Sequence, residues 1–229
     1  MISRDYILSY VKPSRSYAQH PFKEVIQNDC YKTAGYRNLK IDTVFDVGGN
    51  VGMFAIKAND LFPKAKIHSY EPVPDTFEAL SYNLTKLCPN AVPHKVGVGR
   101  STASHNVYYR REEFSGDFSI GRPTKSSDKL HNSLAFLMSA EDFVARKECQ
   151  NAGRYIVKMD IEGGAIPFIR SKGGEGFTHR CVLSVFEFHC FELSKSMIMQ
   201  MLKSKFGKRL KTWKSGVGSK TFMAMVDNR

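Results

Sequence analysis

The chain has 229 residues and a formal net charge of +12, from 34 Lys and Arg residues against 22 Asp and Glu residues. Apolar residues make up 42% and charged residues 24% of the sequence, a balance typical of folded domains that excludes disorder along the whole chain. No stretch of about 18 apolar residues occurs, so no transmembrane helix is expected, and residues 1–10 show no pattern that predicts a signal peptide.

The first 40 residues show little periodicity apart from a helix predicted over residues 21–31, where Phe22, Val25 and Ile26 share helical spacing. We therefore expect residues 1–40 to be an N-terminal extension that packs over the sheet or over a ligand site. Residues 41–229 are predicted to form a single domain.

From residue 43 onward, short runs rich in β-branched residues alternate with amphipathic helical segments. This alternation predicts an α/β fold with a mostly parallel seven-stranded sheet, to which a C-terminal hairpin adds an antiparallel strand. Asp75 is the predicted N-cap of the second helix. Strands are predicted at residues 43–47, 66–70, 92–98, 155–160, 182–188, 210–213 and 221–226, and helices at 53–61, 76–87, 140–147, 165–170 and 194–205.

Residues 99–138 interrupt this rhythm. They contain one possible edge strand, at residues 106–110, followed by a polar stretch at 112–132 rich in Ser, Gly and Lys. Long loops of this kind are often functional, so this insertion is a candidate lid over a substrate. A solvated loop without a role in binding is an equally good interpretation. Its basic residues could hold an anionic substrate: Arg110, Arg111, Arg122 and Lys125.

The most informative motif follows the first strand, where Asp46, Gly48, Asn50 and Gly52 lie in the run Asp-Val-Gly-Gly-Asn-Val-Gly. Glycines at the carboxyl end of a parallel strand allow a tight turn and a close approach of a ligand to the backbone. The spacing is Asp-x-Gly-x-x-x-Gly, whereas the dinucleotide fingerprint is Gly-x-Gly-x-x-Gly. The motif therefore favours a ligand that has no pyrophosphate.

Glu71 follows the second strand, about 20 residues after the glycine loop. A carboxylate at this position can accept hydrogen bonds from the two hydroxyls of a ribose. The alternative is a surface glutamate that precedes the turn at Pro72. The glycine loop and Glu71 together favour the ribose role.

Three further polar residues lie at the ends of the fourth and fifth strands. Asp160 and Glu162 lie at the end of the fourth strand, and His189 lies at the end of the fifth. The carboxyl ends of parallel strands carry the catalytic residues in such folds, so these three are candidates for a general base, for binding substrate hydroxyls or for holding a metal. The alternatives are a cap on the following helix for the two carboxylates and a packing role for the histidine.

These residues together resemble the FkbM family of S-adenosylmethionine (SAM)-dependent methyltransferases. The similarity spans residues 40–190 and is carried by residues 45–54, 70–72, 96–99, 139–143, 158–163 and 186–189. The sequence departs from the family pattern in two places. One is Gly49, where the family usually has Ala, and the other is residues 164–166, where the family usually has a second acidic residue.

The resemblance implies a Rossmann-like class I methyltransferase fold with SAM as cofactor. It places Asp46, Gly48, Asn50 and Gly52 at the methionine part of SAM, Glu71 at the ribose and Val98 near the adenine. The predicted cofactor site also includes Gly49, Pro72 and Asp160. Asp160, Glu162 and His189 are the predicted catalytic residues, and no metal is expected.

The resemblance further implies O-methylation of a small-molecule or sugar hydroxyl. Methylation of RNA or another nucleic acid is an alternative, which the charge of +12 and the lysines of residues 203–214 favour. A non-catalytic SAM-binding interaction protein is a third possibility. The five scattered cysteines form no C-x-x-C pair, which predicts a reduced, intracellular and cytoplasmic protein.

Overall fold

The computed structural model of the chain describes residues 19–109, 119–120, 131–161, 163–190, 193–214 and 221–229. Two sheets are present in this part of the chain. The strands are β1 (Thr43–Val47), β2 (Lys66–Tyr70), β3 (Ala91–His94), β4 (Gly97–Val98), β5 (Ala103–Tyr109), β6 (Ser119–Ile120), β7 (His131–Met138), β8 (Tyr155–Met159), β9 (Leu183–His189), β10 (Leu210–Lys214) and β11 (Thr221–Asp227).

Seven α-helices accompany these strands in the described ranges. They are α1 (Met53–Leu61), α2 (Pro74–Leu87), α3 (Ala140–Val144), α4 (Lys147–Gln150), α5 (Ala165–Arg170), α6 (Lys172–Arg180) and α7 (Lys195–Phe206). None of the helices in the described residues is long and apolar enough to cross a membrane.

The main sheet has seven strands in the order β10-β11-β9-β8-β1-β2-β3. The five strands from β9 to β3 are parallel, β11 is antiparallel to β9, and β10 is antiparallel to β11. Strands β1 and β8 are buried along their whole length, as expected for central parallel strands covered on both faces. The predicted fold class is thereby confirmed.

The chain leaves β1 toward β2 on one side and returns to β8 on the other, so β1 and β8 flank the point where the strand order reverses. Successive residues of β1 face opposite cores: Val44 packs with α1 and α2, whereas Phe45 and Val47 pack on the side of α3 and α5. Ligands of open α/β sheets bind at the carboxyl ends of the strands at such a switch point. The fold therefore exposes the ends of β1, β2 and β8 as the place for a site.

The insertion differs from the prediction of a long loop with one edge strand. A second sheet, β4-β7-β5-β6, takes up its described part, and β5 pairs with β7 along the whole of β5. In β7, Ala135 and Leu137 are buried, whereas Leu134 and Phe136 on the opposite face are exposed. Because both faces carry apolar residues, the sequence lacks the alternation of polar and apolar residues that would have predicted this strand. The four basic residues proposed for the lid lie outside the described residues.

Several helix boundaries also differ from the prediction. Helix α2 begins at Pro74 with Val73 as N-cap, which places Asp75 in the first turn instead of at the cap. Pro suits the first helical position because its missing N–H would have no partner there. Helix α6 was not predicted because glycines at 173, 174 and 176 lower its helix propensity. The predicted helix at 140–147 is α3 and α4, and the predicted third strand is β3 and β4.

The described part of the N-terminal extension packs against the domain. Its helix is a short π-helix, Phe22–Gln27, shorter than predicted. Lys57 Nζ of α1 forms an ion pair with Asp29 and donates to the carbonyl of Val25 at 2.6 Å. At the other edge, Trp213 Nε1 donates to the carbonyl of Cys30 at 3.0 Å. These contacts fix the extension beside the carboxyl end of β1.

Candidate active site

The loop between β1 and α1 is a tight turn with three left-handed residues. Gly48 has φ +80°, Asn50 φ 47° and Gly52 φ +92°. The N–H of Gly48 donates to the carbonyl of Tyr70 at 3.0 Å. A Cβ on Gly48 would lie 1.8 Å from the carbonyl oxygen of Asp160. Only glycine can therefore occupy this position between the ends of β2 and β8.

Gly49 is one of the two places at which the sequence departs from the pattern of the family that it resembles. A Cβ there would lie 2.3 Å from Ser69 Oγ. Ser69 is fully buried, and its hydroxyl donates to Asp46 Oδ2 at 2.7 Å. The Ser69 hydroxyl thus fills the space that an alanine side chain would need, which accounts for glycine in this chain.

A buried ion pair between Lys158 and Asp46 lies against the glycine loop. Lys158 Nζ lies 3.2 Å from Asp46 Oδ1 and also donates to the carbonyl of Gly48. Burial alone would lower the pKa of Lys158, but the charges of Asp46, Asp160 and Glu187 raise it. For Asp46, burial outweighs the charge of Lys158 and raises the pKa of the carboxyl. Both oxygens of Asp46 thus face protein groups, and direct contact with a cofactor stays a prediction.

Glu71 is buried at the end of β2 and faces the glycine loop. Its Oε2 accepts a hydrogen bond from the N–H of Asn50 and its Oε1 one from the N–H of Val73, each at 3.0 Å. Burial raises the pKa of Glu71 to about 7, although both hydrogen bonds favour the ionised form. A carboxylate has about four acceptor positions. Among the described residues, these two N–H groups use two of the positions, which leaves two for other donors.

Pro72 and Val98 lie on the side of Glu71 that faces the second sheet. Both are buried, and Pro72 contacts Gly97 so closely that a Cβ on that glycine would lie 2.8 Å from it. The carbonyl oxygen of Val98 lies 3.0 Å from the position of a Cβ on Gly164. The turns after β4 and β8 are therefore adjacent.

Asp160 is the centre of a second polar group, at the ends of β8 and β9. Tyr31 Oη, from the N-terminal extension, donates to Asp160 Oδ2 at 2.8 Å, and His189 Nε2 lies 3.8 Å from Oδ1. Burial would raise the pKa of Asp160, but His189, the charge of Lys158 and the hydrogen bond from Tyr31 lower it to about 2. Asp160 is therefore a carboxylate at neutral pH.

The structure brings most predicted site residues together. The glycine loop, Glu71 and Asp160 meet at the ends of β1, β2 and β8, and His189 reaches Asp160 from β9. Glu162 lies outside the described residues. Two site residues were not predicted. Glu187 could have been found from its spacing of two residues from His189, which places both on one face of the strand, whereas no sequence signal marks Tyr31.

Comparison with known protein families decides the relationship that the sequence suggested. The family model described as the methyltransferase FkbM domain matches residues 46–210, which is most of the chain. The chain belongs to the FkbM methyltransferase family. The matched segment starts at Asp46 and includes the glycine loop, Glu71, Asp160 and His189.

Two curated relatives indicate the range of this FkbM family. The chain is 34% identical over 105 residues to the 31-O-demethyl-FK506 methyltransferase FkbM of Streptomyces tacrolimicus, a match that covers 45% of the chain and 38% of the relative. It is 24% identical over 129 residues to the hexuronic acid methyltransferase AglP of Haloferax volcanii, covering 56% of the chain and 49% of that protein. The chain thus matches less than two thirds of the length of either relative.

Solved structures with the same fold include methyltransferases of distant sequence. One of them is a SAM-dependent methyltransferase from Agrobacterium tumefaciens, with a TM-score of 0.51 and 9% sequence identity. The match covers 91% of this chain and 63% of that chain. This likeness supports the Rossmann-like methyltransferase fold of the FkbM family member described here.

Proposed function

We propose that this chain is a SAM-dependent O-methyltransferase that acts on a small-molecule or sugar hydroxyl. Membership of the FkbM family supports the reaction type. The two relatives, a 31-O-demethyl-FK506 methyltransferase and a hexuronic acid methyltransferase, support the acceptor class. The structural observation on which the proposal rests is Glu71, held against the glycine loop at the switch point of the sheet with acceptor positions left for a diol.

The residues present fit SAM in three respects. The loop from Gly48 to Gly52 would hold the methionine part, Glu71 would accept the ribose hydroxyls, and Pro72 and Val98 would border the adenine. Bound SAM supplies a methyl group that is activated by its positively charged sulfur. Because Lys158 pairs with Asp46, the carboxylate of Asp160 is the group that gives this region the negative charge that a sulfonium favours.

Methyl transfer to oxygen requires that the acceptor hydroxyl be aligned and lose its proton. We propose that Asp160, His189 and Glu162 act on that hydroxyl, with one of them receiving the proton. Tyr31 fixes the orientation of Asp160 for this step.

Calorimetric titration of the purified protein with SAM and, separately, with NAD tests the proposal. We expect SAM to bind with micromolar affinity and NAD not to bind. The substitution Glu71→Gln, which keeps the shape of the side chain, is expected to weaken SAM binding at least tenfold, or about 1.4 kcal/mol. Glu78→Gln, at an exposed position of α2, is the matched control and should leave the affinity unchanged. Absence of SAM binding would refute the proposal.

The affinity for SAM is also expected to depend on pH. Because burial raises the pKa of Glu71 to about 7, the side chain of the free protein is mostly protonated below that pH. Accepting two ribose hydroxyls requires the carboxylate, so SAM binding must remove a proton at low pH. We expect the affinity to rise about tenfold between about pH 6 and about pH 8, since each pH unit below the pKa costs about 1.4 kcal/mol.

Calorimetry at both pH values measures this effect, and Glu71→Gln supplies the control. A glutamine does not titrate, so the weak affinity of that variant should be the same at both pH values. An equal pH dependence in the wild type and the variant would show that another group controls binding.

A nucleic-acid acceptor is the second candidate, which the charge of +12 favours. Exposed lysines follow one another along α7, β10 and the turn between them: Lys203, Lys208, Lys211 and Lys214. Incubation with radiolabelled SAM separates the two candidates by the acceptor that receives the label. The acceptors offered are RNA in one reaction, and hexuronic acids and natural-product alcohols in the other.

The five cysteines are all free thiols, and we propose a reducing, cytoplasmic location on that basis.

A further inference from the structure

Three side chains at the ends of β8 and β9 have the geometry of a metal-binding group. Asp160, Glu187 and His189 each offer one ligand atom, and these atoms all lie within 4.8 Å of one another. Mg²⁺ binds its ligands at about 2.1 Å in octahedral geometry, which separates two ligand atoms by about 3.0 Å when they are adjacent and by about 4.2 Å when they are opposite. The 3.8 Å between Asp160 Oδ1 and His189 Nε2 lies between these two values, so a small rotation of either side chain would let both atoms reach one cation.

The surroundings hold these side chains in orientations suited to a cation. Tyr31 Oη donates to Asp160 Oδ2, which turns the other oxygen, Oδ1, toward His189. A hydrogen bond to the outer oxygen of a ligating carboxylate is a common means of orienting a metal ligand. Glu187 and His189 are two residues apart in β9, so both side chains lie on the same face of the strand.

The charges of the site point the same way. Lys158 lies close to three carboxylates, those of Asp46, Asp160 and Glu187, and its ammonium is already bound by Asp46 and by the carbonyl of Gly48. The group around it thus has more negative than positive charge while His189 is neutral. The two carboxylates are ligands of the kind that Mg²⁺ and Mn²⁺ prefer, and the imidazole is a ligand that Zn²⁺ and Fe²⁺ share.

We propose that Asp160, Glu187 and His189 bind one divalent cation, Mg²⁺ or Mn²⁺. This replaces the expectation from the sequence that no metal is present. The cation's role rests on the proposed function: its remaining positions would take the acceptor hydroxyl, whose proton becomes easier to remove when its oxygen is bound to a cation. His189 is then a ligand of the cation instead of the group that receives the proton.

Titration with Mn²⁺, followed by the electron paramagnetic resonance signal of the free ion, tests the site in the protein without SAM. We expect one Mn²⁺ to bind per chain and Mg²⁺ to displace it. Glu187→Gln is expected to weaken Mn²⁺ binding at least tenfold. Glu175→Gln, the same substitution on α6 where the carboxylate pairs with Lys205, should have no effect. If Glu187→Gln fails to fold by circular dichroism, His189→Ala provides the same test.

Two results would overturn the cation site: no binding at millimolar Mn²⁺, or equal affinity in the wild type and Glu187→Gln. These outcomes are separate from the failure of the proposed function. SAM binding without Mn²⁺ binding leaves a methyltransferase in which His189 can act as base. Mn²⁺ binding at this site without SAM binding retains the cation site and removes the methyltransferase.

Discussion

Replacing Gly48 with alanine is expected to lower the free energy of unfolding by about 3 kcal/mol or more. The added Cβ would lie 1.8 Å from the carbonyl oxygen of Asp160, and φ is +80° at this position. The left-handed conformation alone costs an alanine about 1–2 kcal/mol, and overpacking in a buried region adds about 1–3 kcal/mol. The loop can relieve the clash only by moving away from β8, so SAM binding should be lost as well.

Two other glycines separate these causes. Gly163 has φ +72° with open space around it, so Gly163→Ala should show the cost of the left-handed conformation alone. Gly35 has neither a positive φ nor a close neighbour, and Gly35→Ala should be nearly neutral. Urea denaturation of the three variants measures the differences. If Gly48→Ala lowers the free energy of unfolding no more than Gly163→Ala does, then the close approach of the loop to β8 is not the reason that position 48 requires glycine.

The parts of the fold that could be predicted are those in which local pattern and tertiary environment agree. Strand β1 and helix α1 have the predicted bounds because a buried β-branched run, a glycine turn and an apolar helix follow one another. The same agreement made the parallel sheet predictable. Strand β7 of the insertion could not be predicted in this way. It forms by pairing with β5, and its own sequence shows no alternation of polar and apolar residues.

Helix α6 shows a related limit. Its glycines disfavour a helix, yet a Cβ on Gly174 would lie 2.1 Å from the carbonyl oxygen of Phe168. Glycine is required there because α5 and α6 approach closely, which is a tertiary reason that no propensity scale contains. A residue that weakens the local signal can therefore be the one that permits the packing.

The candidate site was predictable to the extent that its residues follow strands. The ends of parallel strands meet at one edge of the sheet, so Asp46, Glu71 and Asp160 could be grouped before their distances were known. Tyr31 reaches Asp160 from 129 residues away in sequence, through a segment with no strong pattern of its own. The burial of Glu71, which raises its pKa to about 7, likewise depends on the packing of several segments.

The substitution Lys158→Met is expected to lower the free energy of unfolding by about 3–5 kcal/mol at neutral pH. It would leave the carboxylate of Asp46 buried without the ammonium that lies 3.2 Å away, and breaking a buried ion pair in this way is strongly destabilising. Lys205→Met is the control, because Lys205 pairs with Glu175 in a more exposed position and its loss should cost about 1 kcal/mol or less. Urea denaturation measures both.

The effect of Lys158→Met should also shrink as the pH falls. Burial already raises the pKa of Asp46 in the folded wild type, and loss of the lysine would raise it further. A group whose pKa is higher in the folded than in the unfolded state favours folding at low pH and loses that contribution as the pH rises through the folded value. The difference in the free energy of unfolding between variant and wild type should therefore be smaller at about pH 5 than at about pH 8.

The double variant Asp46→Asn/Lys158→Met, which has no buried carboxylate at this position, should recover part of the stability and lose this pH dependence. A constant deficit in the single variant would mean that the lysine stabilises the fold by packing and by its hydrogen bond to Gly48, not by its charge.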